Sequence, residues 1–172
     1  MEKSHRLSRS NWRDIIFGSI AVIIVIADQL TKAWIRANLG YGQAWFDWGF
    51  FRVVHAQNTG VSFGLLQGHI IFVIIAVFLE MIIILAIEYY LRNRLSFMDS
   101  ILMHVGLGLV MGGAIGNQVD RIAMGHVTDF IDFKVWPAFN VADSAAVVGT
   151  IIIAYCIIFK SGLLKPKDGK EK

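Results

Sequence analysis

At 172 residues and 19.2 kDa the chain has room for one domain, and its 56% hydrophobic content, 17% charged content and mean hydropathy of +0.59 exclude disorder and an ordinary soluble domain, which averages about 25% charged residues. One cysteine, Cys156, excludes an internal disulfide and any cysteine-built zinc or iron–sulfur site. The net charge of +3 and pI near 9.1 raise nucleic acid as a partner, but no basic patch with interleaved aromatics supports one.

In chain order, Ile15 to Trp34 opens with IIFGSIAVIIVIA, and as a helix it rises about 30 Å, the thickness of a hydrocarbon core. Its last two turns are polar, carrying Asp28, Gln29, Thr31 and Lys32, and no small-x-small cleavage site follows, so it reads as a retained anchor. Further spans are expected at 70–90, 101–119 and 141–159, and 1–172 is read as a single integral membrane domain with a basic tail at 160–172. Lys3, Arg6, Arg9, Arg13, Arg92, Arg94, Lys160, Lys165, Lys167, Lys170 and Lys172 gather on one side of these four spans. By the positive-inside rule both termini are cytoplasmic, and the connections 35–69 and 120–140 face outward. The third span carries Gly108, Gly112 and Gly116 on one face, which predicts close helix packing.

Asp28, Asp47, Asp120, Asp129, Asp132 and Asp143 all fall at outer span ends or in outer connections. Acids in such a setting are functional candidates, because an unpaired charge in a span costs several kcal/mol. Asp28 and Lys32 are spaced for an i,i+4 ion pair with a structural role. Asn117, Asp120 and Arg121 share a helical face, with Asp120 and Arg121 also able to form a local ion pair. Asn140 suits an N-cap with Asp143 at N3, three residues on. Asp47 and Asp132 read as solvated loop acids. Three or four helix ends thus deliver polar groups to one depth, the number depending on the second span. Glu80 lies mid-span, where a protonated or interhelically hydrogen-bonded side chain is expected.

Zinc hydrolysis has no H-E-x-x-H cluster, since His5, His55, His69, His104 and His126 are dispersed. Gly60-Val61-Ser62-Phe63-Gly64 fits G-x-S-x-G, but that pattern needs an α/β sheet for which the chain is too short and too apolar. A pair of aspartates sharing one proton is the economical chemistry, and spacing does not say which two of the six.

Five motifs then occur in order: Asp28-Gln29-Leu30-Thr31-Lys32; Asn58-Thr59-Gly60-Val61-Ser62-Phe63; Gly113-Ala114-Ile115-Gly116-Asn117 followed by Asp120-Arg121; Gly125-His126-Val127-Thr128-Asp129-Phe130; and Phe139-Asn140-Val141-Ala142-Asp143-Ser144. In these the chain resembles the bacterial lipoprotein signal peptidases, also called type II signal peptidases, over most of its length. The resemblance implies an all-α membrane protein of four transmembrane helices with a small extracytoplasmic β-cradle and a short helix in the first outer loop. It implies an aspartic endopeptidase of the bacterial inner membrane, active at the outer face, that removes signal peptides from diacylglyceryl-modified prolipoproteins before the lipidated cysteine. Asp129 and Asp143 match the catalytic pair, and Asn58, Asn117, Arg121, Asn140 and Asp120 match supporting or substrate-binding positions. No cofactor or metal is expected, the partners are prolipoproteins and membrane lipids, and a monomer is expected. The competing readings are a small ion or proton transporter using membrane-embedded acids and a non-catalytic scaffold. A transport path would need acids at several depths, whereas only Glu80 lies mid-membrane.

Overall fold

The computed structural model describes residues 2–60, 69–92 and 94–160. The order is α1 (Glu2–Asn38), β1 (Ala44–Asp47), β2 (Arg52–Asn58), α2 (Ile70–Leu91), a 3₁₀ turn (Ser96–Asp99), α3 (Ile101–Met124), β3 (Val127–Asp132) and α4 (Val141–Tyr155), with a π-helical turn at Cys156–Lys160. All four long helices are apolar and long enough to cross a membrane. Two outrun the spans expected for them: α1 continues to Asn38, and α3 continues to Met124, so Asp120 and Arg121 stand on a helix and not in a connection. A span ends where apolar side chains end, but helical hydrogen bonding continues as long as polar residues find partners. The tail after Lys160, the short helix expected in the first outer loop, and the G-x-S-x-G pattern beyond Gly60 fall outside the described residues.

The central helix α3 packs on α1 along one face and on α4 along another, while α2 lies mainly against α3. Glycines permit the close approach. A Cβ at Gly112 would come within 2.8 Å of the Ala21 carbonyl oxygen of α1, and one at Gly113 would collide with the Ala142 carbonyl oxygen of α4. Gly116 faces the Asp28 carboxylate, so the expected glycine face is real and also makes room for an acid. At the far end of the bundle the start of α1, the end of α2, the 3₁₀ turn and the end of α4 meet around Met98, Met103, Leu107 and the fully buried Cys156.

At the other end a small antiparallel sheet of order β1-β2-β3 covers the helices. Its third strand comes from the second outer connection, so the cradle expected from the first loop alone is built by both. Gly125, at φ 75°, ends α3 in the left-handed conformation and turns the chain into β3. Asp132 is a correction: it is buried and opposes Arg52 directly in the sheet register, with Arg52 Nε 2.6 Å from Asp132 Oδ2. Asp47 is exposed but paired, since Lys134 Nζ donates to both its oxygens at 2.6 and 2.8 Å and holds its carboxyl below the usual range. Glu80 sits on an exposed face of α2 and has no hydrogen-bond partner among the described residues, so the interhelical bond expected for it is not found.

Candidate active site

Phe139 brings the two outer motifs together. It bridges Ile131, with Phe130 and Ile131 amides donating to the Phe139 carbonyl at 3.0 and 2.8 Å and the Phe139 amide returning 3.0 Å to Ile131. Asn140, the next residue, is thereby laid beside β3 and starts α4. It caps that helix in a reciprocal box: the Asp143 amide donates to Asn140 Oδ1 at 3.0 Å, and the Asn140 amide donates to Asp143 Oδ2 at 3.1 Å. The expected cap is present, and Asn140 Nδ2 also donates to Asp129 Oδ1 at 2.7 Å.

From α3, Asn117 Nδ2 donates to Asp143 Oδ1 at 2.8 Å, and Asn117 Oδ1 accepts from Asn140 Nδ2 at 3.0 Å and from Lys32 Nζ at 2.8 Å. The two amides therefore lace Asp129 to Asp143. On the sheet, Asp129 opposes Ala56, and Asn58, two residues on, shares that face. Asn58 hydrogen-bonds Asp129, and its Oδ1 also accepts from the Gly60 amide at 3.0 Å. Burial first, and then the Asp143 carboxylate, push the Asp129 carboxyl up to about 7, against the downward pull of the bonds from Asn140 and Asn58. Such a group holds its proton close to neutrality.

Asn58, Asn117, Arg121, Asp129 and Asp143 line one polar side of a cleft of about 710 Å³, whose other side is Trp136, Pro137, Phe139, Val147 and Val148. Val147 and Val148 are themselves exposed on the outer surface of α4, so the cleft opens sideways from the bundle. Arg121 Nη2 reaches the Gly60 carbonyl at 3.4 Å, and its charge acts on both aspartates. Of the four long helices only α3 and α4 supply residues to this cleft, fewer than the three or four helix ends expected to meet.

Asp28, Lys32 and Asp120 stand behind the cleft. Lys32 Nζ lies 2.7 Å from Asp28 Oδ2 and 3.4 Å from Asp120 Oδ2, with all three side chains buried. Asp28 Oδ1 accepts the Ala142 amide at 3.0 Å, tying α1 to the start of α4. Asp120 does not line the cleft and pairs with Lys32 and Arg36, not with Arg121. Its Oδ2 accepts the Thr128 amide at 3.0 Å, anchoring β3 one residue before Asp129. Sequence reasoning missed Arg36, which bridges Asp120 and Thr128 Oγ1 at 3.3 and 3.1 Å, and Gln29, which donates to Asp120 and to the Gly116 carbonyl. Lys32 and Arg36 recur at i,i+4 on α1, the one signal that pointed to a second cation.

A family model for signal peptidase (SPase) II matches residues 20–159. The chain belongs to the signal peptidase II family. A lipoprotein signal peptidase of Dehalococcoides mccartyi is 38% identical over 149 residues, covering 87% of this chain and 92% of that one. Those of Moorella thermoacetica and Enterococcus faecalis are 36% and 37% identical and cover 88% and 90% of this chain, and 96% of each relative. Among solved structures, a bacterial membrane enzyme determined in meso at 2.3 Å superposes with a TM-score of 0.71 at 32% identity, over 89% of this chain and 92% of that one. A second, at 1.9 Å, gives 0.66 at 33% identity, over 81% and 90%. This peptidase is a multi-pass membrane protease that removes lipoprotein signal peptides, and its substrates are prolipoproteins. Nothing in these likenesses favours a transporter, and the acids support none: Asp28 and Asp120 are paired with Lys32 and Arg36, and Glu80 is exposed on α2.

Proposed function

We propose that Asp129 and Asp143 are the catalytic dyad of an aspartic endopeptidase that cuts diacylglyceryl-modified prolipoproteins immediately before the lipidated cysteine. The observation that carries this reading is the laced pair of carboxyls in one cleft, with Asp129 pushed up to about 7 beside Asp143. Carboxyls coupled in this way hold one proton between them and titrate as a pair. With Asp129 keeping the proton, Asp143 takes one from a water whose oxygen attacks the scissile carbonyl carbon, while Asp129 donates to the carbonyl oxygen. Collapse of the tetrahedral intermediate breaks the C–N bond, returns the carbonyl proton to Asp129 and passes the proton held by Asp143 to the leaving amine. Asn117, Asn140 and Asn58 fix the carboxyls, and Arg121 stands where it can stabilise developing negative charge. Asp120 and Asp28 act on β3 and α4 and not on substrate.

The sideways opening past Val147 and Val148 suits a substrate that arrives within the lipid, held by its acyl chains and its own signal helix. The basic residues at the opposite end of the bundle orient that end to the cytoplasm, so the cleft faces outward from a bacterial inner membrane. Every group invoked comes from a single chain, so the proposed site is complete without a second copy.

Purified full-length protein in detergent, given a diacylglyceryl-modified prolipoprotein, is expected to yield a faster-migrating product whose mass begins at the lipidated cysteine. Asp129→Asn and Asp143→Asn should each abolish that shift while still unfolding in one cooperative melting transition. Retained cleavage by either folded variant would overturn the dyad.

A further inference from the structure

The far end of the bundle, opposite the cleft, holds a second polar cluster that the peptidase reaction does not use. Asp14 lies near the start of the first apolar span, Glu88 near the end of α2 and His104 near the start of α3. Asp14 and Asp28 are fourteen residues apart on α1, which separates this cluster from the Asp28 end by about 21 Å. One ligand-capable atom from each of the three residues lies within 4.8 Å of the others. They border a cavity of about 230 Å³ whose remaining walls include Phe17, Ile84, Leu85 and Leu107.

His104 decides the chemistry. It is 3% exposed, and its Nδ1 is 3.0 Å from the Ser100 carbonyl oxygen, which can only accept, so Nδ1 carries the hydrogen. Its Nε2 is buried without a hydrogen bond and faces Glu88 Oε1 at 3.8 Å. The Glu88 oxygen at which this buried nitrogen is aimed itself accepts from Arg92 Nε. A backbone carbonyl fixing Nδ1–H so that Nε2 presents its lone pair is the arrangement found behind metal-bound histidines. Arg92 holds the two carboxylates together, with Nε 2.9 Å from Glu88 Oε1 and its guanidinium paired to Asp14. Among the described residues Arg92 and His104 are the basic side chains in contact with this carboxylate pair.

We propose that Asp14, Glu88 and His104 form a binding site for a divalent transition-metal ion of the zinc class. Two carboxylate oxygens and one imidazole nitrogen suit such an ion better than calcium or magnesium, which prefer all-oxygen shells. Zinc at about 2.1 Å from each donor requires donor separations of about 3.4 Å, a closure of roughly 1 Å that side-chain rotation supplies. The ion ties α1 and α3 to α2, the helix that otherwise packs mainly on α3 alone. Its role is structural, and it takes no part in peptide cleavage.

The test is a Zn²⁺ titration of untagged full-length protein in detergent against a chromogenic chelator, with Co²⁺ as a spectroscopic substitute. One equivalent of Zn²⁺ per chain should bind and raise the melting temperature, and His104→Gln and Glu88→Gln should each weaken binding at least tenfold while cleavage activity persists. Arg92→Gln should tighten binding, because it removes the competing charge. Absence of one-equivalent binding to the wild type, or equal affinity in His104→Gln and Glu88→Gln, would overturn the site. If His104→Gln does not fold, Asp14→Asn at the exposed edge replaces it; a tenfold loss supports the site and unchanged affinity refutes it.

Discussion

On the α1 side of the outer end of α3, Asp28 and Asp120 are held by Lys32 and Arg36; on the α4 side, Asp129 and Asp143 are held by the side-chain amides of Asn117, Asn140 and Asn58. The two clusters touch through Asn117 Oδ1, which accepts from Lys32. A cation neutralises a carboxylate and makes it a strut. An amide donor orients a carboxylate but leaves its charge available, so two neighbouring carboxylates still compete for one proton. On the proposed mechanism, rigidity and reactivity are separated by the type of partner, although the acids are the same residue in both clusters.

The largest break in this contrast comes from Asp129→Asn or Asp143→Asn, each expected to lower kcat/KM at least ~10³-fold, about 4 kcal/mol of barrier, in a steady-state cleavage assay. The same Asp129→Asn change should stabilise the fold at alkaline pH. The Asp129 carboxyl has a raised value in the folded protein, so its contribution is fully present below the ordinary carboxylate range and is lost as pH rises through about 7. Thermal unfolding at pH 8 should therefore favour the variant, with the advantage shrinking at pH 5 and gone below about pH 3.5. Equal melting at pH 8 and pH 5 would show that Asp129 is not raised.

Lys32→Met attacks the strut side by leaving Asp28 and Asp120 buried with less compensation. A loss of about 3–5 kcal/mol is expected, seen as a fall in melting temperature and folded yield. Asn140→Ala sharpens the reactive side: kcat/KM should fall by about 10², since the carboxyl it orients is freed to drift. On the proposed mechanism activity requires the protonated member of the pair and should decline as pH rises through about 7. Removing a bond that pulled Asp129 down should move that decline to higher pH, and a shift in the opposite direction would contradict the assigned hydrogen bond.

Gly113→Val should destabilise by about 1–3 kcal/mol in thermal unfolding, because its side chain would collide with the start of α4. The smallest effect belongs to Arg52→Ala. Its ion pair with Asp132 is more than a third exposed on the arginine side, so a loss of no more than about 1 kcal/mol and near-normal cleavage are expected.

Much of this was legible in the chain itself where the interaction is local. Apolar length marked all four helices, the 3.6-residue period paired Asp28 with Lys32, and the Asn140–Asp143 spacing announced a cap. Long-range partners were not legible. Asp132 looked like a solvated acid because Arg52 lies eighty residues away in sequence, and Asp120 looked like a mate for Arg121 because adjacency hides that Lys32 and Arg36 come from another helix. The dispersed histidines concealed that His104 meets Asp14 and Glu88 from three separate helices.

The sequence by itself determined that the chain lies in lipid, where its four apolar helices run, and which six aspartates collect at one surface, because hydropathy and helical period act over a few residues. Only the tertiary structure decided which of those aspartates are paired with cations and which are held by side-chain amides. That depends on whether a cation or an amide arrives from a distant helix, and the closeness of those helices is set by glycines such as Gly112 and Gly113 that bring the backbones together.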